Sequence, residues 1–237
     1  MMEITVLAVT RLSDGVCVAG ITREGKWTRP TRPAPTSWWP DRRQIQEDDC
    51  RNENDDWVVR KGNVVDMELC EPIPEPTHPE DWLLSDRPPI LVRKLTEQEY
   101  RRVCSRLAEK NPRRLFVASS PRSLMMIEPD EVVSFDFAVE KGEGSKSKYR
   151  PRVTFRASGQ LYRGKTVTDA EWRGYGREVM KRRGDPCRVD PKDIFRELGA
   201  DKCWLSIGKY EMDTRTFLLV IGIHLFPVQR FPMDFRR

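Results

Sequence analysis

The run His78-Pro79-Glu80-Asp81-Trp82 holds the one cluster in this chain whose residue types could do acid–base work. An imidazole beside carboxylates can titrate near neutrality, and two close carboxylates can push one pKa upward. No nucleophile, metal partner or third orienting group stands at a recognisable spacing, so His78 and Glu80 are weak catalytic candidates. Hydrogen bonding is the preferred role, either to a base edge of a ligand or to clasp this segment onto the protein body. A second set, Arg11, Lys26, Trp27 and Arg29, places an aromatic plane among cations. An accessible nucleic-acid strand needs that pairing: rings stack on bases at about 1–3 kcal/mol each, and cations hold the backbone. Trp27 also reads as a plug for the core, and Arg29 as a surface residue. The third set is a basic band of Lys146, Lys148, Arg150, Arg152, Arg156, Arg163 and Lys165. Strand alternation puts Arg152, Thr154 and Arg156 on one face, which suits either salt-sensitive phosphate contacts or an ordinary solvated surface.

Other residues carry less chemistry. Ser119, Ser120 and Ser206 have no histidine partner at a recognisable spacing, so nucleophilic catalysis has no support. Gly174-Tyr175-Gly176 lies in a helical stripe and follows no strand, unlike a dinucleotide-binding turn. His224 sits in an apolar strand and reads as a hydrogen-bonded core histidine. The 6 cysteines are scattered, with no Cys-x-x-Cys pair, and with only 2 histidines the chain lacks zinc-ligand spacing. Neither a metal nor another cofactor is expected, and the cysteines read as free thiols of a cytoplasmic protein.

Net charge is +5 over 237 residues, but it is unevenly spread. Residues 41–86 carry 14 acidic and 5 basic side chains, a net of −9, whereas residues 140–183 carry 5 acidic and 13 basic, a net of +8. One reading is a basic surface for a polyanion, with an acidic segment that covers it or faces elsewhere; the other is two solvated loops of opposite sign. No apolar run is long enough to span a bilayer, and the first residues lack the order of a secretory signal, so no membrane partner is expected.

Short strands must position these groups. Ile4 to Leu12, Val16 to Arg23 and a third strand from Trp27 form a meander through Asp14-Gly15 and Glu24-Gly25 turns. Residues 33–56 form a long Pro-rich, acidic loop holding Trp38-Trp39. Val58-Val59 and Val64 to Leu69 predict a hairpin around Lys61-Gly62-Asn63. Pro72, Pro74, Pro76 and Pro79 predict a stiff extended arm that delivers residues 78–82. Thr96 and Glu99 make a capping box for a helix near 96–110, with Tyr100, Val103, Cys104 and Leu107 on its apolar face. The second half opens on the apolar runs Leu115-Phe116-Val117 and Leu124 to Ile127, and 132–139 predicts a half-buried strand with Val133, Phe135, Phe137 and Val139 on one face. Asp169 caps a helix to Arg183, and Phe217 to Phe226 is apolar enough to read as a central strand.

Val16-Cys17-Val18-Ala19-Gly20 followed by Gly25-Lys26-Trp27-Thr28-Arg29-Pro30 resembles the opening of the dual OB-domain family of prokaryotic proteins. Gly62 to Val65 leading to His78–Trp82, then Val167-Thr168-Asp169, then Trp204 to Gly208 are similar to that family in the same order. Thr10-Arg11-Leu12 departs from it, standing where the family tends to have a Ser-x-Lys-like element, and Arg is no simple substitute for Lys. The resemblance implies two OB-like barrels and a role in binding nucleic acid or nucleotide.

The expectation is a mostly β protein of two OB-like small β-barrels, residues 1–112 and 113–237, with inserted helices. It would bind single-stranded DNA or RNA through Arg11, Lys26, Trp27, Arg29, His78, Glu80, Trp82, Lys148, Arg150, Arg152 and Arg156, without catalysis. Two alternatives stand beside it. One is an interaction subunit with a protein partner in a nucleic-acid-processing or defence assembly. The other is a nucleotide-processing enzyme using His78 and Glu80.

Overall fold

The computed structural model describes residues 2–11, 15–32, 45–116, 120, 122–141, 147–212 and 215–236. Asp14, Trp38, Trp39, Ser119 and Lys146 lie outside the described residues.

Among the described residues the fold is mostly β with three α-helices. The first seven strands are β1 (Glu3–Arg11), β2 (Val16–Thr22), β3 (Trp27–Thr31), β4 (Asn63–Asp66), β5 (Leu69–Pro72), β6 (Asp81–Leu84) and β7 (Ile90–Lys94). They form one curled half-barrel sheet in the order β5-β6-β3-β2-β1-β4-β7. Gly25, at φ +81°, makes the turn into β3 that a side chain would strain.

Two local expectations change here. Val58-Val59 does not form a hairpin arm; β4 pairs instead with β1 and β7, and Asn63 Nδ2 donates to the Val58 carbonyl at 2.8 Å. The proline arm is not extended either. Its prolines alternate with residues that keep their amides, so Ile73 N donates to Asp81 O at 2.9 Å and Glu75 and His78 bond each other. The arm therefore folds back, and β5 runs antiparallel to β6.

Helix α1 (Glu97–Leu107) starts at the expected capping box, with Tyr100 and Cys104 buried. After β8 (Ala108–Glu109), residues Pro112–Phe116 form a 3-10 turn, at whose start Asn111 Oδ1 accepts the Arg113 amide at 3.0 Å. Then come β9 (Leu124–Ile127), β10 (Glu131–Phe137), β11 (Val139–Lys141), β12 (Ser147–Tyr149), β13 (Arg152–Ala157) and β14 (Gln160–Thr166). They are followed by α2 (Ala170–Arg183), β15 (Cys187–Val189), α3 (Pro191–Leu198), β16 (Lys202–Met212) and β17 (Arg215–Phe226). The sheets are β14-β13-β10-β15, β11-β12 and β17-β16-β9-β8. A bulge between Val132 and Ser134 breaks the expected alternation, leaving Val133 40% exposed while Phe135 and Phe137 stay buried. β17 is an edge strand, not a central one; it is apolar because β1 and β14 also pack near it.

The largest core cluster surrounds Trp172 of α2, with Phe135 at 4.6 Å and Tyr175 at 5.1 Å between ring centroids. A smaller one joins the first sheet to the rest: Leu7 and Ile21 pack with Tyr100, Cys104, Met126, Trp204 and Phe226. Beside it His224 is held at both nitrogens, Nδ1 by Tyr100 Oη at 2.6 Å and Nε2 by Ser206 Oγ at 2.8 Å.

A buried carboxylate makes the polar joint. Asp169 accepts the Glu171 and Trp172 amides at 3.0 and 3.2 Å, capping α2, and also Lys61 Nζ at 2.5 Å and the Ile223 amide at 2.8 Å. Residues 227–236 form a strap over both halves. Arg60 donates to Phe231 O at 2.9 Å, Arg173 to Asp234 O at 3.2 Å, and Phe235 stacks on Trp57 at 5.3 Å.

Candidate nucleic-acid interface

Pairing of β3 with β6 brings two of the expected groups together. Arg29 sits opposite Asp81, and its Nε and Nη2 donate to the two carboxylate oxygens at 2.6 and 2.8 Å. Burial works against the Arg29 charge, but the hydrogen bonds and charge of Asp81 outweigh it and raise the guanidinium pKa. Trp82 is half-buried in β6, opposite Pro30 on one side and Pro72 on the other.

Glu80 is a clasp. It is 7% exposed and accepts the Ser123 amide at 2.6 Å, the Ser123 hydroxyl at 2.8 Å and the Leu124 amide at 3.2 Å. It thereby ties the 78–82 segment to the start of β9. His78 Nδ1 stands 3.4 Å from the same Ser123 oxygen, whose proton goes to Glu80. This is the wrong polarity for a histidine-activated serine, which must donate its proton to the imidazole.

Burial, then the charges of Arg29 and Lys209, hold the His78 pKa down to about 3 from its ordinary 6.5. Unfolded chain takes up a proton as pH falls through 6.5, and folded protein does not until about 3. His78 therefore leaves stability intact above pH 6.5 and removes it progressively as the pH falls toward 3. Urea midpoints measured from about pH 7 to about pH 4 should fall less steeply for His78→Gln than for the parent protein. Parallel curves would refute this.

The remaining expected residues are spread over the surface. Arg11 Nε donates to Phe235 O at 2.5 Å and so holds the strap. Lys26 is exposed, and half-buried Trp27 packs against the small cluster of Ala8, Ala19, Leu124 and Ile221. Arg150 and Arg152 lie 3.6 and 2.6 Å from Glu140, and Arg156 lies 3.2 Å from Glu131. Lys148, exposed, stands opposite Glu140 in the β11–β12 pair. These cations occupy β12, β13 and the loop between them, whose sheet neighbours are β11, β10 and β14, not β3 or β6. The band thus carries its own counter-charges on β10 and β11.

A cationic, ring-bearing trough does exist, at a place the sequence reading missed. β14 and β17 are both edge strands and meet in parallel at Val167–Val220, where Thr168 N donates to Val220 O at 2.9 Å. Between residues 160–166 and 216–219 lies a cleft of about 570 Å³. Arg113, Arg163 and Lys165 line it together with Tyr210 and Phe217. The two rings face each other across the β16–β17 hairpin with centroids 6.5 Å apart, and are 46% and 38% exposed. Leu219, another lining residue, packs on the same small cluster as Trp27. Arg163 and Lys165 were legible as part of the basic band. The sequence signal for the rest was Tyr210 and Phe217 flanking the hairpin tip, a position where strand aromatics run beyond the core.

Residues 2–184 match the model of a family described as a dual OB-containing domain. The chain belongs to that family. No curated protein matches it. The dual OB-containing match takes in three of the four stretches that carried the resemblance and ends before Trp204–Gly208. It ends before β15 as well, so the β16–β17 side of the trough lies outside it. A dual OB-containing chain is compatible with nucleic-acid binding. No helix among the described residues is long and apolar enough to cross a membrane.

Proposed function

We propose that this protein binds single-stranded DNA or RNA in the cytoplasm, through the trough between β14 and β17, and performs no chemistry on it. Residues 1–112 and 113–237 would act as two OB-like units, the second carrying the trough. The carrying observation is the exposed Tyr210–Phe217 pair beside Arg113, Arg163 and Lys165. Rings at this exposure offer stacking planes that accept any base, and three cations supply phosphate contacts. The free thiols of all six cysteines agree with a reducing compartment. Lys26, Trp27 and the 148–156 cations would extend the electrostatic surface.

Titration of an internally labelled oligonucleotide against salt tests this reading. Affinity should fall linearly on a double-logarithmic plot, with a slope of about −0.7 for each phosphate neutralised, hence roughly −2 for three cations. Replacing Arg163 and Lys165 together by glutamate should weaken binding at least about tenfold and flatten that slope. An affinity indifferent to salt would overturn the proposal. A second reading, docking of a protein partner, draws on Ile90 and Val92, which are 44% and 43% exposed on edge strand β7. It predicts loss of a co-purifying protein in a Val92→Lys variant, with oligonucleotide binding unchanged.

A further inference from the structure

The cleft between β14 and β17 is an open depression, with exposed Arg163, Gly164 and Thr216 along its lining. A strand resting there is free to continue over the surface, and its onward course depends on which cations are available to it. Several arginines are already committed to carboxylates: Arg93 lies 2.9 Å from Glu99 and Arg101 2.5 Å from Asp201. Arg23, Lys26, Arg102 and Arg106 differ. All four are exposed, and among the described residues none of them enters an ion pair.

These four form one patch. Arg102 and Arg106 stand four apart on α1 and so share a face, where like charges repel. Arg23 and Lys26 belong to the turn from β2 to β3, and a Cβ on Gly25 of that turn would lie 3.9 Å from Arg106 Nη2. Glu24 is the turn's one carboxylate and lies in the field of Arg23 and Lys26, which leaves the patch with a positive surplus. Such self-repulsion weighs against the unbound protein and is relieved by a polyanion. Trp27 joins the patch to the cleft. Half-buried, it packs against the cluster that Val103 and Leu107 of α1 also cover, and against the one that Leu219 of the cleft lining covers.

Resting on the single-strand reading above, we infer that a strand held in the cleft runs on past Trp27 to the Arg23, Lys26, Arg102 and Arg106 patch, whose cations hold its phosphates. The first sheet and α1 then share one strand with the cleft. Affinity rises with strand length until both surfaces are engaged, because the second engagement is intramolecular.

The test titrates two oligothymidylates, one of about 5 nucleotides, close to the smallest site of an OB unit, and one of about 30, enough for two units. An Arg102→Glu/Arg106→Glu variant should weaken the long strand at least about tenfold and flatten its salt slope by about 1.4, for two phosphate contacts. The short strand, which the cleft alone can hold, should change by less than about twofold at physiological salt, where charges beyond about 8 Å are screened. Both arginines are exposed, so the variant's melting curve should match that of the parent. Equal weakening of the two lengths, or weakening of neither, would overturn the path past Trp27 while leaving binding at the cleft, which Arg163→Glu/Lys165→Glu reads separately. Failure of the parent protein to bind either length would overturn both.

Discussion

Replacing Asp169 by alanine is expected to cost about 3–5 kcal/mol of stability, the range for breaking a buried ion pair by removing one partner. A domain is stable by only about 5–15 kcal/mol, so this variant should unfold at a much lower urea concentration or fail to accumulate. Two losses act together. The Glu171 and Trp172 amides lose their cap at the start of α2, and Lys61, 9% exposed, loses its carboxylate partner at 2.5 Å and keeps the Ile223 carbonyl at 2.8 Å and Glu171 at 3.7 Å. The Ile223 amide of β17 is orphaned as well. A companion variant, Lys61→Met, separates the contributions. It removes the cation but leaves Asp169 accepting three backbone amides, so it should be milder than Asp169→Ala. Equal midpoints for the two variants would show that the ion pair alone carries the effect.

The second large effect has a sign opposite to the one helix propensity gives. Alanine at position 176 should favour an isolated helix over glycine by about 1 kcal/mol. Here a Cβ on Gly176 would collide with Tyr149 Oη and the Phe137 ring, both buried. Neither can retreat freely. Tyr149 Oη donates to Arg173 O at 3.2 Å, and Phe137 packs on Trp172 at 6.0 Å. Gly176→Ala should therefore destabilise by about 1–3 kcal/mol, as overpacking does. Adding Phe137→Leu, which vacates part of the collision, should recover some of that loss. Urea midpoints decide it: a more stable Gly176→Ala protein would refute the packing argument. Gly174 meets a similar obstruction, with its Cβ position occupied by the Pro232 carbonyl. The Gly-Tyr-Gly run thus serves close approach of chain and side chains to the helix.

Local signals in the sequence led to correct elements. The Thr96–Glu99 capping box and the Asp169 cap are patterns within four residues, and both helices start where those residues place them. Strands β1, β2 and β17 followed from apolar runs bounded by turn residues. The errors arose where the third dimension decides. Alternation at 132–139 gave no hint of the bulge that turns Val133 outward. An apolar run could not tell a central strand from an edge strand covered by neighbours, and β17 proved to be the latter.

The candidate site divides in the same way. Glu80 was visible as a carboxylate with a clasp among its roles, but its partner Ser123 lies just before β9 of a different sheet and no spacing announces it. Arg29 and Asp81 were both noticed, though not as a pair, since parallel pairing of β3 with β6 joins segments 52 residues apart. The trough assembles Arg113, the β14 edge and the β16–β17 hairpin. Only two of its charged residues, Arg163 and Lys165, belonged to a pattern that could be read along the chain.

The strap has a bearing on how the protein is made. Met233 and Phe235 pack against the core under the first sheet, and Arg11 at the end of β1 holds the Phe235 carbonyl. Translation delivers those residues more than two hundred positions after the strand they secure. The β1–β3 meander must therefore wait on the ribosome with part of its core unsealed, until that later-made segment folds back across it.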